Sequence, residues 1–165
     1  METKFTPWRM TYIKRGDGPG EEICVFCAMA AAPRDHDVDN LVLYRGERCL
    51  VVLNLYPYNT AHLMVVPFAH TADLPGLDAA AAGELLTLTQ RCVRILGDTY
   101  QPHGFNLGMN LGSIAGAGIA EHLHMHIVPR WSGDTNFMPI IGGTKLIPED
   151  LDSTYDRLRP GFATP

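Results

Sequence analysis

Three histidines, His122, His124 and His126, alternate with Leu123, Met125 and Ile127 and run into Val128 and Pro129. In an extended chain alternate side chains share a face, so the three imidazoles are expected on one side, about 6.6–7 Å apart, with the apolar residues turned toward a core. Burying three imidazoles on one face without partners is costly, so the pattern points to chemistry. Two kinds are open. The histidines can be metal ligands, or one can be a nucleophile whose neighbours orient it and supply protons. The segment just before them, residues 112–118, carries Gly112, Gly116 and Gly118. Its backbone can approach a ligand closely and aim N–H groups at an anion, and a phosphate cradle running into a histidine strand favours the nucleophile. Glu121 is expected on the opposite face, so no carboxylate stands as an obvious general base. A second group, Cys24-Val25-Phe26-Cys27, has the spacing of a metal hook.

These residues need a scaffold. Strands are expected at 41–45 and 48–53, joined by a two-residue turn at Gly46 and Glu47, then at 62–66, 105–110 and 122–128. One long helix is expected from Asp78, a good N-cap, to Leu96, with Gly97 as its stop. Leu85, Leu88, Cys92, Val93 and Leu96 form its buried stripe. Residues 28–32 suggest a single helical turn ended by Pro33, and Pro148 could start a short helix with Leu151, Tyr155 and Leu158 on one side. Strands around one long helix, with hairpin connections, predict a one-domain α+β fold over residues 1–165. The sheet is mainly antiparallel and five-stranded, with an N-terminal extension (1–23) and an irregular C-terminal tail (131–165).

At 46% hydrophobic and 19% charged residues the chain has a globular composition. A formal net charge of −5 argues against nucleic-acid binding but not against a small anion held locally. No run is long and apolar enough for a membrane span or signal peptide, which gives a cytoplasmic expectation with cysteines reduced or metal-bound. Cys49 and Cys92 fall on apolar faces as core residues, and Arg130 and Lys145 read as surface charges.

His-Leu-His-Met-His-Ile-Val resembles the signature of the histidine-triad superfamily, and residues 24–130 keep that family's order: cysteine hook, hairpin, Asn54 loop, His62 strand, long helix, glycine loop, triad. The pieces at 7–13, 116–119 and 130–137 resemble the branch with bacterial diadenosine tetraphosphate phosphorylases and related hydrolases. The resemblance implies an enzyme cleaving dinucleoside polyphosphates, diadenosine tetraphosphate first among them, through a covalent nucleotidyl-histidine. By that likeness His124 is the nucleophile, His126 contacts the phosphate or protonates the leaving oxygen, and His122 orients His124 or binds metal. Asn110 would contact the α-phosphate and the backbone of Gly116, Ala117, Gly118 and Ile119 would form the phosphate loop. Asn54, eight residues before His62, would hold the ribose, and Val52 and Met64 would line the base slot. For Asn54 the plain alternative is an Asn closing a turn. The same likeness implies a structural zinc held by Cys24, Cys27, His70 and His122, and a symmetric homodimer through the helix and an edge strand.

The chain departs from many relatives in lacking Gln after the loop glycine and in being one residue longer there. The expected consequence is phosphate rather than water as acceptor. Two other readings are a metal-dependent hydrolase with all three histidines as ligands, and a non-catalytic nucleotide-binding module.

Overall fold

The first three strands form where branched apolar residues concentrate, and the computed structural model describes residues 24–134, 141–143 and 147–163. The N-terminal extension, the piece at 7–13, residues 135–137 and Lys145 lie outside the described residues. In chain order the elements are α1 (Val25–Ala31), a 3-10 turn (Arg34–His36), β1 (Val42–Arg45), β2 (Cys49–Leu53), β3 (Leu63–Pro67) and α2 (Ala79–Tyr100). Then come β4 (Gly104–Gly108), a second 3-10 turn (Ser113–Ala115), β5 (Met125–Arg130) and α3 (Leu151–Ala163). The sheet has five strands in the order β1-β2-β3-β5-β4, and every neighbouring pair is antiparallel. The expected α+β architecture with a five-stranded antiparallel sheet is the one observed.

β2 and β3 are buried on both faces, which is why they read as continuous apolar runs rather than alternating ones. One face, with Val51, Leu53, Leu63, Val65 and Ile127, packs on Leu85, Leu88, Cys92 and Leu96 of α2 and on Tyr155, Leu158 and Phe162 of α3. The other face, with Val42, Leu50, Val52, Met64 and Val66, is covered by Phe26 of α1. Cys49 and Cys92 are fully buried. Burial pushes both thiols up to about 12, so they stay protonated and inert.

Three boundaries differ from expectation. The long helix does not stop at Gly97 but continues to Tyr100, where Gln101 takes the left-handed cap conformation (φ 47°). Packing outweighs the ~1 kcal/mol helix cost of glycine, because Leu96 and Tyr100 pack on the core and the Tyr100 hydroxyl bonds Glu149. The histidine strand begins at Met125, not at residue 122. β3 pairs with it only through Met125, His126 and Ile127, and upstream the chain turns away, with Leu123 N–H donating to Thr71 O at 2.8 Å. The tail is not irregular throughout, since α3 is a 13-residue helix whose Tyr155, Leu158 and Phe162 are core residues.

Candidate active site and metal centre

His122 and His124 lie on the segment entering β5, and His126 lies within the strand, so one short stretch of chain carries all three imidazoles. His122 is 1% exposed. Its Nε2 is 2.8 Å from the Pro67 carbonyl, which can only accept, so Nε2 carries the proton and Nδ1 bears a lone pair. That lone pair faces Cys24 Sγ at 3.4 Å, Cys27 Sγ at 3.6 Å and His70 Nδ1 at 3.3 Å, with Cys27 Sγ 3.3 Å from His70 Nδ1. A tetrahedral zinc, with Zn–S about 2.3 Å and Zn–N about 2.0 Å, sets its ligand atoms roughly 3.3–3.8 Å apart. The donor set therefore fits a closed Cys₂His₂ centre, with all four ligand atoms within 4.8 Å of one another. Burial holds the His122 imidazole below its ordinary range, in the neutral form that ligates. Burial and the neighbouring Cys24 raise the Cys27 thiol, an effect a divalent cation would reverse.

His124 points away from this cluster. Its Nδ1 is 2.8 Å from the carbonyl of His122, so Nδ1–H donates and Nε2 is left with a lone pair. Phe26, placed between the two cysteines in α1, packs against the rings of both His122 and His124 (centroids 5.4 and 5.2 Å).

His126 is oriented by a residue that sequence reasoning did not single out. The backbone N–H of Tyr58 donates to His62 Nδ1 at 3.0 Å, which puts the proton of His62 on Nε2. Nε2 lies 2.9 Å from His126 Nδ1 and donates to it. His126 must then carry its own proton on Nε2, as a donor facing the site. Burial first, and His124 second, lower the His126 pKa to about 4, so the ring is neutral at pH 7. A histidine heading an otherwise apolar buried strand was the available signal for His62, which is 0% exposed. Tyr58 stacks over both rings (4.8 and 5.6 Å).

The other expected residues divide. Asn54 Oδ1 accepts from Tyr56 N at 3.0 Å and Nδ2 contacts His62 Nδ1 at 3.2 Å, so its amide closes a turn and supports His62. Val52 and Met64 belong to the apolar layer under α1, and Met64 is directly opposite His126 across β3 and β5. Ile119 packs against that layer. In the glycine loop Gly116 N–H and Ala117 N–H are used internally, by Ser113 O and Gly112 O. Gly118 and Ile119 N–H have no partner among the described residues and are the loop's open donors. Gly112 (φ 84°) and Gly116 (φ 92°) take left-handed backbone that other residues adopt at a cost. Asn110 stands beside this loop, its Nδ2 3.5 Å from Gly116 O. The structure does not bring the three histidines together around one point, because only His122 joins the metal-binding group.

Among known families the HIT domain model matches residues 35–133. AP-4-A phosphorylase of Mycobacterium tuberculosis is 43% identical over 166 residues, covering 99% of this chain and 85% of that protein. Protein hit of Bacillus subtilis is 28% identical over 145 residues, covering 87% of this chain and 97% of that protein. Among solved structures, a Zn-bound histidine triad family protein from Mycobacterium smegmatis superposes with a TM-score of 0.67 at 27% identity, over 87% of this chain and 96% of that one.

Proposed function

The chain belongs to the HIT domain family, and from that premise we propose that it cleaves dinucleoside polyphosphates, diadenosine tetraphosphate foremost, through a nucleotidyl group carried on His124. One observation carries the assignment: His124 Nδ1–H is spent on the His122 carbonyl at 2.8 Å, so Nε2 offers a lone pair to phosphorus. Nε2 attacks the α-phosphorus, the P–N bond forms, and the bridging P–O bond breaks with its electron pair leaving on oxygen. His126 Nε2–H donates a hydrogen bond to that departing oxygen. The open N–H groups of Gly118 and Ile119, with Asn110 beside them, face the non-bridging oxygens. Val52, Met64 and Ile119 floor the side of the site toward the base, and Asn54 acts on it through His62 and its turn.

Phosphate is the favoured acceptor for the second half of the reaction. The loop lacks a glutamine amide to position water, and the 43%-identical relative is named a phosphorylase. A zinc ion fits the Cys24, Cys27, His70 and His122 donor set and would act structurally, since four protein ligands leave no open position for chemistry. Ligand thiols rather than disulfides suit a reducing, cytoplasmic setting. Among the described residues no helix is long and apolar enough to cross a membrane. β4 stands at the sheet's edge with Leu107 exposed, and a homodimer that continues the sheet there would cover it.

The test is intact-protein mass spectrometry after brief mixing with diadenosine tetraphosphate. An adenylyl adduct is expected on the parent and none on His124→Ala. Turnover that persists in His124→Ala without any adduct would overturn the assignment.

A further inference from the structure

On the β4 side of His126 stand Asn106 and Gly108, which take no part in the cleavage step, beside Asn110 and His126, which do. A cavity of about 190 Å³ opens there, lined among others by Tyr58, Asn106, Gly108, Asn110, His126 and Val128. His126 separates it from the base side, having Met64 opposite it on β3 and Gly108 opposite it on β4.

Gly108 is the first clue. A strand position favours a branched side chain, and glycine there costs roughly 0.5–1 kcal/mol relative to alanine. The fold does not demand it: the backbone is not left-handed, and a Cβ would meet nothing within 4 Å. What glycine provides is open space directly over His126, and a glycine inside a strand commonly marks the approach of a ligand.

The second clue is the hydrogen-bonding character of the walls. Arg130 Nη1 donates to Asn106 Oδ1 at 2.7 Å. A guanidinium has only donors, so this bond fixes the amide with its oxygen toward Arg130 and leaves Nδ2 with two hydrogens and no partner among the described residues. Arg130 in turn gives Nε and Nη2 to Asp134 at 2.6 and 2.8 Å, which leaves two of its five N–H groups open. Asp134 also accepts from Asn59 Nδ2 and Trp131 N–H, so its oxygens are engaged. With His126 Nε2–H at one end, Asn106 at the other and no carboxylate in the lining, the cavity suits a small oxyanion.

The direction of the reaction supplies the third. Once His124 holds the nucleotidyl group, the acceptor must enter in line, from the side the leaving group vacated. That is the side on which His126 stands.

We propose that this cavity is the acceptor site, where inorganic phosphate is held for the second half-reaction, with Asn106, oriented by Arg130, and Gly108 selecting phosphate over water. The inference rests on the nucleotidyl-histidine reading. An unprotonated oxygen of hydrogen phosphate attacks the α-phosphorus. The new P–O bond forms, the P–Nε2 bond breaks, and its electron pair returns to His124. The nucleoside diphosphate departs with the acceptor's own proton on its terminal phosphate.

The test isolates the second step. The adduct is formed with diadenosine tetraphosphate, freed of excess nucleotide, and discharged at graded inorganic phosphate while nucleoside diphosphate and monophosphate are counted. Each variant is its own control through the ratio of the two products. Asn106→Asp keeps the size of the side chain and an acceptor for Arg130 but places a negative charge in the cavity. It should lower the diphosphate-to-monophosphate ratio at fixed phosphate by about tenfold or more, the scale of one hydrogen bond to a charged group. Gly108→Val fills the space and should bring the ratio down likewise. Formation of the adduct certifies that each variant folds. If both variants match the parent's phosphate dependence, the acceptor site is wrong while the covalent reading stands. If the parent yields no adduct, the covalent reading falls and the proposal falls with it.

Discussion

At the scale of single residues, the site is a set of tautomers imposed by neighbours that can only donate or only accept. The carbonyl of His122 fixes His124, the carbonyl of Pro67 fixes His122, and the N–H of Tyr58 fixes His62, which fixes His126. Replacing His62 by alanine removes the donor that holds His126 Nδ1 as an acceptor and frees the ring to take either tautomer. Adduct formation, followed by rapid quench, should slow about ten- to a hundredfold. His62→Gln, which can still donate, should recover part of it, a recovery not expected if His62 served only as filler. The His126 pKa near 4 also bears on stability. Its folded value is depressed below the ordinary value of 6.5, so between about 6.5 and 4 the unfolded chain binds a proton that the folded chain does not. His126 therefore contributes stability above that window and loses it as pH falls through it, by an amount on the order of a few kcal/mol. Thermal melts at pH 7.5 and 4.5 should show a smaller acid loss for His126→Gln than for the parent, and equal losses would refute the argument.

At the scale of elements, α1 matters beyond its seven residues. It places both cysteines at its N-terminal end and Phe26 between them, so the metal hook and the packing against His122 and His124 are one unit. Metal analysis of untagged protein should find close to one zinc per chain, and Cys27→Ala should hold less than about 0.2. A chelator should lower the melting temperature of the parent and leave Cys27→Ala nearly unmoved. The β1–β2 turn shows a different kind of joint. The Glu84 carboxylate on α2 accepts from the N–H groups of Glu47 and Arg48 at 2.8 and 2.6 Å, so the long helix caps the hairpin it lies on.

At the scale of the whole molecule, α2 and α3 together cover one face of the sheet, while α1 lies on the other. Leu158 is fully buried in the same layer as Leu85 and Cys92, Tyr155 donates to Val42 O at 2.9 Å, and Arg91 lies over the rings of Tyr44 and Phe162. Leu158→Ala should cost about 2–5 kcal/mol in chemical denaturation. Tyr155→Phe should cost only about 1 kcal/mol. A result in which neither matters would mean that the tail is dispensable. β1 is one of the two edge strands of the sheet, and β4, with Asn106, Leu107 and Gly108 exposed, is the other. Light scattering should return twice the chain mass if that edge is paired between two copies.

The sequence by itself determined the local and periodic features. Alternation around His122, His124 and His126 marked the site, branched apolar runs marked β1, β2 and β3, and the leucine stripe with Asp78 marked the long helix. These follow from short-range geometry and capping, which need no knowledge of what lies across the fold. Only the tertiary structure decided which ring nitrogen of His122 and His126 carries the proton, because a tautomer is set by a partner distant in sequence: Pro67 for His122 and His62 for His126. It also ended the histidine strand early, where β3 ceased to offer partners, and carried α2 past Gly97, where packing outweighed propensity. The cavity beside His126 belongs to the same class. Asn106, Gly108 and Arg130 are unremarkable in the sequence, and they become a site only because antiparallel pairing sets β4 against β5 in one register.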